Sequence, residues 1–316
     1  MPDDAMIRLD RVTKTYADGT TAVAELSLDV PRGEICVLVG PSGCGKTTTM
    51  KMVNRLIDPT SGTVLVDGED VSKTDPDELR RRIGYVIQNV GLFPHQKVRD
   101  NVMTVPRLLG WDRKRSRARA DELLDLVGLD PSTYGGRYPA QLSGGQRQRV
   151  GVARALAADP LVLLMDEPFS AVDPVARERL QNEFLRVQAE VGTTVVLVTH
   201  DIDEAVKLGT RVAILREGGN LEQYAPPADL LTAPATDFVA GFVGSDRMVK
   251  ALSVTPLQAV GLEPGTAPTS IEAGTDLGRA LVALLAGGGR VEVRDGDRSL
   301  GVLTADGLVR QAQQTG

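Results

Sequence analysis

Short runs of consecutive apolar residues recur along the chain, and longer stretches with helical periodicity separate them. Unbroken aliphatic runs of this length are typical of strands that are buried on both faces of a parallel sheet. The pattern predicts such strands at residues 34–39, 84–87, 161–165, 194–199 and 211–215. Further strands are predicted at residues 7–12, 21–30 and 62–66, with a turn at Asp18-Gly19 between the first two. We therefore expect an α/β core.

A helical stretch interrupts these strands between residues 98 and 158. Together with the residues just before it, this stretch predicts a helical subdomain at about residues 89–158, inserted between strands of the core. Its basic run, residues 113–119, is compatible with a nucleic-acid surface. The helical spacing of these charges beside Asp121 and Glu122 favours a solvated helix face instead.

The C-terminal part of the chain has a different pattern. Short helices at residues 226–231 and 237–242 are expected to close the first domain, residues 1–244. Residues 245–270 are rich in Pro, Thr and Gly and predict a linker with little regular structure. Residues 271–316 predict a small α+β domain: helix 276–286, strands 290–294 and 299–303, and helix 305–312 capped by Thr304.

Composition narrows the class of protein. Of 316 residues, 42% are hydrophobic and 25% are charged, which is ordinary for a soluble globular chain. A net charge of −6 argues against nucleic acid as a main partner, and the two cysteines, Cys36 and Cys44, fit a reducing compartment. The acidic N-terminus does not resemble a signal peptide, and no apolar run is long enough to span a membrane. We expect the chain to act from the aqueous side, with another subunit crossing any membrane involved.

A glycine-rich turn between a predicted strand and a predicted helix carries the main chemical signal. It consists of Gly40-Pro41-Ser42-Gly43-Cys44-Gly45-Lys46-Thr47, followed by Thr48, and it matches G-x-x-x-x-G-K-[ST] in the required context. The glycines let successive backbone N–H groups point at an anion, and the helix adds its positive dipole end. We assign Lys46 to the β- and γ-phosphates of a nucleotide and the Thr47 hydroxyl to Mg²⁺. The alternative is a strand–helix turn that binds nothing.

Polar side chains also follow two later buried strands. Asp166 and Glu167 come directly after residues 161–165, where two adjacent carboxylates are unfavourable unless they meet a cation or take part in chemistry. We predict that Asp166 holds Mg²⁺ or a metal-bound water, and that Glu167 is the general base for an attacking water. His200, one of two histidines, ends the strand at residues 194–199 and is placed to contact a γ-phosphate.

Two other side chains have alternative interpretations. Gln88 follows a short strand and either helps to hold Mg²⁺ or the attacking water, or is a solvated loop residue. Tyr16 lies just before the Asp18-Gly19 turn and is either a half-buried sheet tyrosine or a stacking surface for a nucleobase.

A second anion site is predicted at the start of a later helix. Ser143 is a natural N-cap, and Gly144 and Gly145 leave the first N–H groups uncovered by side chains. Together with Gln146, this helix start is suited to an anion.

Taken in order, these segments resemble the ATP-binding subunit of an ABC transporter over about residues 6–243. The matching motifs are the Walker A motif at residues 40–47, the Q-loop at Gln88, the signature at residues 142–146, the Walker B motif at residues 161–166, the D-loop at residues 170–173 and the switch His200. The resemblance implies a P-loop NTPase fold, a RecA-like core with an antiparallel sheet and an inserted helical subdomain. It also implies that ATP and Mg²⁺ bind, and that Asp173 lies near the nucleotide.

The same resemblance implies a head-to-tail homodimer, in which each ATP lies between the Walker motifs of one chain and residues 143–146 of the other. The residues agree, since one triphosphate can satisfy two separate anion-binding elements only if they face each other. ATP would hold the dimer together and hydrolysis would open it. Integral membrane permease subunits and an extracytoplasmic solute-binding protein are the other implied partners, with this subunit peripheral on the cytoplasmic face of the cell membrane.

The connecting residues resemble one branch of that family. Residues 50–57, 83–95 and 105–111 are similar to the ATPases of importers for osmoprotectants such as glycine betaine, carnitine, choline or proline betaine. Residues 92–95 either dock the membrane subunit or serve packing. The ATPases of other importers, including those for polar amino acids, share much of this pattern and remain an alternative.

Residues 295–309 resemble the second half of a CBS module. In osmoprotectant ATPases such modules usually occur in pairs and act as regulatory sensors of ionic strength or nucleotides. Residues 271–316 have the length of about one module. We favour a contact with the twin module in the dimer over a ligand site.

Other classes of protein use the same nucleotide-binding cassette. A DNA-maintenance ATPase would carry long heptads between Lys46 and Ser143, and a translation ATPase would carry two cassettes; this acidic sequence has neither. A non-catalytic regulatory protein would have lost Glu167 or His200, and both are present. The sequence therefore predicts an enzyme that couples ATP hydrolysis to solute import.

Overall fold

The computed structural model describes residues 5–87, 91–170, 172–258 and 261–314, except the side chains of residues 313 and 314. The chain divides into two compact units, residues 1–221 and 222–316. This division lies between residues 221 and 222, before the boundary at residue 244 that the sequence predicts. The boundary at residue 244 stays a prediction. Each unit buries aliphatic residues of its own.

The elements of the first unit follow the predicted order. Its strands are β1 (Ala5–Thr15), β2 (Thr21–Pro31), β3 (Ile35–Val39), β4 (Ser61–Val66), β5 (Glu69–Asp70), β6 (Ile83–Val86), β7 (Val162–Asp166), β8 (Thr194–Thr199), β9 (Arg211–Arg216) and, containing the division, β10 (Asn220–Ala225). Its helices are α1 (Lys46–Val53), α2 (Pro76–Arg81), α3 (Val98–Val102), α4 (Thr104–Leu108), α5 (Arg113–Leu126), α6 (Pro131–Tyr134), α7 (Gly144–Leu156), α8 (Pro174–Val191) and α9 (Ile202–Leu208). Short 3-10 turns occur at Pro139–Gln141 and Glu217–Gly219.

The strands form an antiparallel sheet in the order β2-β1-β4-β5 and a larger sheet in the order β10-β9-β3-β8-β7-β6. In the larger sheet β3 pairs in parallel with β8 and β9, and β7 pairs in parallel with β6 and β8. All residues of β3 and β8 are buried, as expected for strands covered on both faces. The predicted α/β core is confirmed, with strand ends within a few residues of those predicted.

The register of the parallel sheet brings the ends of three strands to one edge. Val39, at the end of β3, lies opposite Thr199, at the end of β8. Asp166, at the end of β7, lies opposite Val198. The segments that follow these strands therefore leave the sheet at the same edge, where ligands of open α/β sheets bind.

Helices α3 to α7 occupy the stretch between β6 and β7. Helix α5 buries Ala120, Leu123 and Leu124, and the basic residues at positions 113–115 and 117 are exposed, whereas Arg119 is half-buried. Arg119 pairs with Glu122, and Nε of Arg117 lies 3.8 Å from the carboxylate of Asp121. Apart from Arg119, the basic run is therefore a solvated helix face, as its spacing predicts.

The second unit combines a three-stranded sheet with helices. Its strands are β11 (Ser270–Glu272), β12 (Arg290–Asp295) and β13 (Arg298–Thr304), and its helices are α10 (Pro227–Thr232), α11 (Asp237–Val243), α12 (Arg247–Leu252), α13 (Leu277–Ala286) and α14 (Ala305–Gln314). β12 lies between β11, with which it is parallel, and β13, with which it is antiparallel. Thr304 caps α14 through a 3.3 Å bond from the N–H of Gly307, as predicted.

The prediction of little regular structure in residues 245–270 is wrong at its start, where α12 forms. The reason is local burial: Leu252, at the end of α12, and Leu257 pack against the core formed by α13, α14 and the sheet. The residues that follow are rich in Pro and Thr, which is typical of a loop, so the sequence pattern did not indicate this short apolar segment. The resemblance of residues 295–309 to a CBS module stays a prediction.

Candidate nucleotide site

The glycine-rich turn joins buried strand β3 to helix α1, as predicted. Gly40, Gly43 and Gly45 have positive φ angles of 155°, 82° and 96°. A Cβ at Gly45 would lie 2.3 Å from the carbonyl oxygen of Ala22, so no larger residue fits there. The turn is thus held in a conformation that exposes Ser42 and Gly43 while burying Gly45.

The start of α1 has backbone N–H groups available for an anion. Gly45 is the N-cap and supplies no side-chain cap, and the first turn carries no acidic residue. Lys46 is buried, and its Nζ donates to the carbonyl oxygens of Gly40 at 2.7 Å and Pro41 at 2.8 Å. The ammonium therefore lies inside the turn, where phosphate oxygens could replace the carbonyl oxygens as acceptors.

Thr47 and Asp166 face each other across the edge of the sheet. The Thr47 hydroxyl donates to Oδ1 of Asp166 at 3.1 Å. Burial raises the pKa of Asp166; the Thr47 hydrogen bond opposes this, and the charge of Glu167 adds to it. Two adjacent oxygen ligands suit Mg²⁺, which usually takes only one or two protein ligands besides water and phosphate. Within the described residues, no group of three or more His, Cys, Asp or Glu side chains could hold a metal.

Glu167 has an uncommon backbone conformation. Its φ angle is 44°, in the left-handed region, which is sparsely populated for residues other than glycine. Its N–H donates to the carbonyl oxygen of Val198 at 2.9 Å, and its carbonyl oxygen accepts from the Ser170 hydroxyl at 2.9 Å. These bonds compensate for the strain and fix the direction of the Glu167 side chain.

His200 lies against this carboxylate. Nδ1 of His200 is 3.1 Å from Oε1 of Glu167, and the imidazole is largely exposed. A carboxylate only accepts hydrogen bonds, so Nδ1 carries the proton in this contact. The other ring nitrogen, Nε2, is then left for a ligand.

Tyr16 follows the end of β1 and is 41% exposed, so it is not a half-buried sheet residue. Its hydroxyl lies 3.4 Å from Oγ1 of Thr48 in α1, and Nζ of Lys14 is 5.6 Å from the ring centroid. The ring is therefore an exposed aromatic surface beside the glycine-rich turn. This placement fits the stacking interpretation.

The predicted second anion site is a capped helix start. Oγ of Ser143 accepts from the N–H of Gln146 at 3.3 Å, and Oε1 of Gln146 accepts from the N–H of Ser143 at 2.9 Å, which is a capping box. A Cβ at Gly144 would meet no atom within 4 Å. The helix start is therefore rigid, and its glycine is not required by packing within the chain.

Residues 143–145 line an open cavity of about 440 Å³ together with Val172, Asp173 and the first turns of α8. Asp173 is the N-cap of α8, where its carboxylate accepts from the N–H of Ala176 at 3.0 Å. The lining of this cavity includes no residue of the glycine-rich turn. Within one chain, this cavity therefore does not include the first anion site.

Comparison with known proteins identifies the family. A family model described as ABC transporter matches residues 23–170. The chain is 55% identical over 251 residues to the osmoprotectant import ATP-binding protein OsmV of Salmonella typhimurium, covering 78% of this chain and 65% of OsmV. It is 48% identical over 276 residues to the glycine betaine/carnitine/choline transport ATP-binding protein OpuCA of Bacillus subtilis, covering 87% of this chain and 72% of OpuCA. The chain belongs to the ABC transporter ATP-binding subunits.

Solved structures of this family agree with the fold. The dimeric post-hydrolysis state of the ATP-binding cassette MJ0796, bound to ADP and Pi, is 36% identical, with a TM-score of 0.63 over 70% of this chain and 99% of that chain. The P-loop ABC cassette fold is therefore confirmed. In the described part of the chain, no helix has the length and apolar character needed to cross a membrane.

The structure brings the predicted Walker A and Walker B residues together with the switch histidine. Lys46, Thr47, Asp166, Glu167 and His200 lie along one edge of the sheet. Gln88, predicted at the Q-loop, lies outside the described residues. The individual roles of these side chains in an ABC ATPase remain predictions.

The sequence did not reveal every side chain that contributes to the site. The capping box was readable, because Ser143-Gly144-Gly145-Gln146 has the S-x-x-Q spacing. The support of Glu167 by Ser170 had no such signal, since it depends on the left-handed backbone at Glu167. Tyr85 was also missed: burial raises its pKa to about 12 with a smaller contribution from the charge of Asp166, so it stays a neutral phenol near the acidic pair.

Proposed function

We propose that this chain is the ATP-hydrolysing, energy-coupling subunit of an ABC importer for quaternary-amine osmoprotectants such as glycine betaine, carnitine or choline. The observation that carries the ATPase assignment is the grouping of Lys46, Thr47, Asp166 and Glu167 at one edge of the sheet. The similarity to OsmV and OpuCA supports the osmoprotectant assignment. ATPases of importers for other small solutes are the alternative that experiment must separate.

The proposed reaction is in-line attack of water on the γ-phosphorus of ATP, which breaks its bond to the β–γ bridging oxygen and releases ADP and phosphate. Lys46 and the N–H groups at the start of α1 bind and orient the phosphates. Thr47 and Asp166 would hold Mg²⁺, which when bound neutralises charge on the phosphate oxygens. Glu167 orients the attacking water and accepts its proton, so that the water oxygen becomes the nucleophile. His200 keeps the Glu167 carboxylate in place through Nδ1 and presents Nε2 to the phosphate.

The complete site would be shared between two copies of the chain. Residues 143–146 form a preorganised helix start, and the cavity lined by residues 143–145 includes no residue of the Walker motifs. A glycine at position 144 is unfavourable for a helix and is not needed for packing, which fits close approach of a nucleotide held by a partner subunit. The dimeric ADP- and Pi-bound cassette supports the same arrangement by similarity.

Further partners follow from the importer assignment. The subunit would bind integral membrane permease subunits on the cytoplasmic face of the membrane and act indirectly on an extracytoplasmic solute-binding protein. Phe93 is 40% exposed, so an apolar side chain within residues 92–95 is available for the permease.

The C-terminal region, residues 271–316, is proposed to be CBS-like and to contact its twin. Helix α13 is apolar around most of its circumference, and Val282 and Leu285 are 67% and 76% exposed within this unit. A helix of this composition is typical of a buried position. A second copy, brought close by the ATPase dimer, would cover this face.

Reconstitution tests the proposed function directly. The chain is captured with its membrane partners from detergent extracts of its own cells, and the complex is placed in proteoliposomes. We expect ATP-dependent uptake of labelled glycine betaine, carnitine or choline, with Glu167→Gln as the inactive control. Uptake of a polar amino acid such as histidine, without uptake of any of these three solutes, would contradict the osmoprotectant assignment. Capture of an active ATPase with no membrane partner would contradict a role in import.

A further inference from the structure

A pair of buried polar side chains links helix α8 to the segment that carries His200. Gln181 on α8 and Glu204 on α9 are 5% and 6% exposed. Nε2 of Gln181 donates to Oε1 of Glu204 at 3.0 Å. Helix α9 begins two residues after His200, so this bond fixes the element that follows the switch histidine directly.

A second link lies one helical turn away on α8. Arg177 donates through Nη2 to the carbonyl oxygen of Val172 at 3.1 Å, and its Nη1 is 3.8 Å from the carboxylate of Asp201. Asp201 is the N-cap of α9 and accepts from the N–H of Asp203 at 2.9 Å. Arg177 therefore joins the loop that enters α8 to the residue after His200.

Gln181 and Glu204 are polar residues at buried positions, although their neighbours in the sequence include buried apolar residues. Both residues have buried aliphatic or aromatic neighbours in sequence, such as Leu180, Phe184 and Ala205. Burial raises the pKa of Glu204, and hydrogen bonds from Thr199 and Gln181 oppose this only in part. A buried polar pair often contributes less to stability than apolar side chains of the same size, so its presence here calls for another reason.

We propose that Gln181 and Glu204 are positioning residues, which together with Arg177 hold His200 against Glu167 and couple this contact to the start of α8. That start, at Val172 and Asp173, lines the same cavity as residues 143–145. A partner subunit that moves the start of α8 would thereby move α9 and change the contact between His200 and Glu167. This inference rests on the proposed function and adds a mechanical connection between the dimer-facing surface and the hydrolytic site.

Steady-state ATPase kinetics of the full chain test the proposal. We expect Gln181→Leu and Glu204→Leu to lower kcat on the order of 10-fold, because a small misplacement of a catalytic group is costly. KM for ATP should stay within about twofold, since the glycine-rich turn is unchanged. Glu204→Gln puts an amide oxygen where the carboxylate oxygen accepts from Gln181, so this variant should retain most of kcat.

A matched control is available on the same helix. Nε2 of Gln188 donates to the carbonyl oxygens of Gly33 at 2.9 Å and Thr193 at 3.1 Å, at the end of β8 opposite to His200. Gln188→Leu should lower the melting temperature and leave kcat unchanged. A loss of kcat in Gln188→Leu equal to that in Gln181→Leu would overturn the proposal.

The double variant Gln181→Leu/Glu204→Leu separates positioning from stability. Replacing both partners leaves neither the Gln181 amide nor the Glu204 carboxylate unpaired, so the melting temperature should lie above that of either single variant, although the Thr199 hydroxyl loses its bond to Glu204. We expect kcat to stay low in the double variant; recovery of kcat together with the melting temperature would overturn the proposal. Absence of ATP hydrolysis by the wild-type chain would contradict the proposed function, whereas an active wild type with an equally active Gln181→Leu would contradict only the positioning role.

Discussion

Nδ1 of His200 lies 3.1 Å from Oε1 of Glu167, although 33 positions separate the two residues in the sequence. The contact forms because the parallel register of β7 and β8 brings both segments to one edge of the sheet. It gives the carboxylate a fixed direction before any water or phosphate binds. The predicted contact of His200 with a γ-phosphate is compatible with this arrangement, because Nε2 is not used in it.

Replacing Glu167 with Gln should abolish turnover and leave ATP binding intact. The amide keeps the size of the side chain and can still bond to His200, but it cannot accept a proton from water. We expect kcat to fall at least about 100-fold. Phosphate release measures the loss, and ATP-dependent dimerisation by light scattering measures what is retained. Normal hydrolysis by this variant would refute the assignment of Glu167 as the base.

Replacing Lys46 with Ala should remove nucleotide binding. Lys46 places a buried ammonium inside the glycine-rich turn, and losing this charge leaves the phosphates without their closest cation. We expect ATP affinity to fall at least about 10-fold by isothermal titration. Lys73→Ala is the control, because the Lys73 side chain is exposed and its ammonium pairs with Asp70 at 3.2 Å. Tight binding by Lys46→Ala would contradict the phosphate role.

Several parts of this structure were readable from the sequence because a single local pattern determines each of them. The β-branched run of β8 and the glycine pattern at residues 40–45 are examples, since burial and positive φ angles restrict the residue types allowed there. The order helix, strand, strand, helix over residues 276–312 was also predicted correctly from its turns and caps, whereas strand β11 was not predicted. In each case the deciding residues are close together in the chain.

What the sequence did not predict depends on residues far apart in the chain. The left-handed conformation of Glu167 requires an acceptor on β8, and no local pattern indicates it. The Gln181–Glu204 pair joins helices 23 positions apart, and each residue alone is compatible with an ordinary amphipathic helix. Helix α12 was missed because its burial depends on the core of α13 and the sheet, which its own short sequence does not reveal.

Because of Asp166, the free energy of unfolding should decrease as pH rises, while the affinity for Mg²⁺ should increase. Burial raises its pKa above the ordinary 3.8, so the protonated form is favoured in the folded chain, and this stabilisation is lost as pH rises through the raised pKa. Mg²⁺ requires the ionised form, so its affinity should fall as pH drops through the same window.

Asp166→Asn tests both consequences. The amide oxygen can still accept from Thr47, and the buried charge is gone, so the melting temperature at neutral pH without Mg²⁺ should not fall. The gain in melting temperature that Mg²⁺-ATP gives to the wild-type chain should disappear. A variant that keeps this gain would contradict the role of Asp166 as a metal ligand.

The exposed face of α13 should contribute to association of two copies. If Val282 and Leu285 are covered in the dimer, changing either one to Ser removes about 1.5–3 kcal/mol of favourable burial free energy from association. We expect the double variant Val282→Ser/Leu285→Ser to weaken self-association about 10-fold or more in analytical ultracentrifugation. Val309→Ser, which removes an exposed side chain of α14, is a comparison for the general loss of surface apolarity. Unchanged association in the double variant would contradict the twin contact.

Gly144→Ala should separate the requirements of folding from those of the shared nucleotide site. A Cβ at Gly144 meets nothing within 4 Å in the chain, and Ala favours the helix over Gly by about 0.5–1 kcal/mol, so the variant should be as stable as the wild type or more so. If a partner-held nucleotide approaches this helix start, the added methyl group will nevertheless weaken the ATP-dependent dimer and lower kcat. Gly136→Ala is the control, because its Cβ also meets nothing within 4 Å and it lies outside the cavity of residues 143–145. A stable Gly144→Ala variant with full ATPase activity would show that residues 143–146 are not approached closely by the nucleotide.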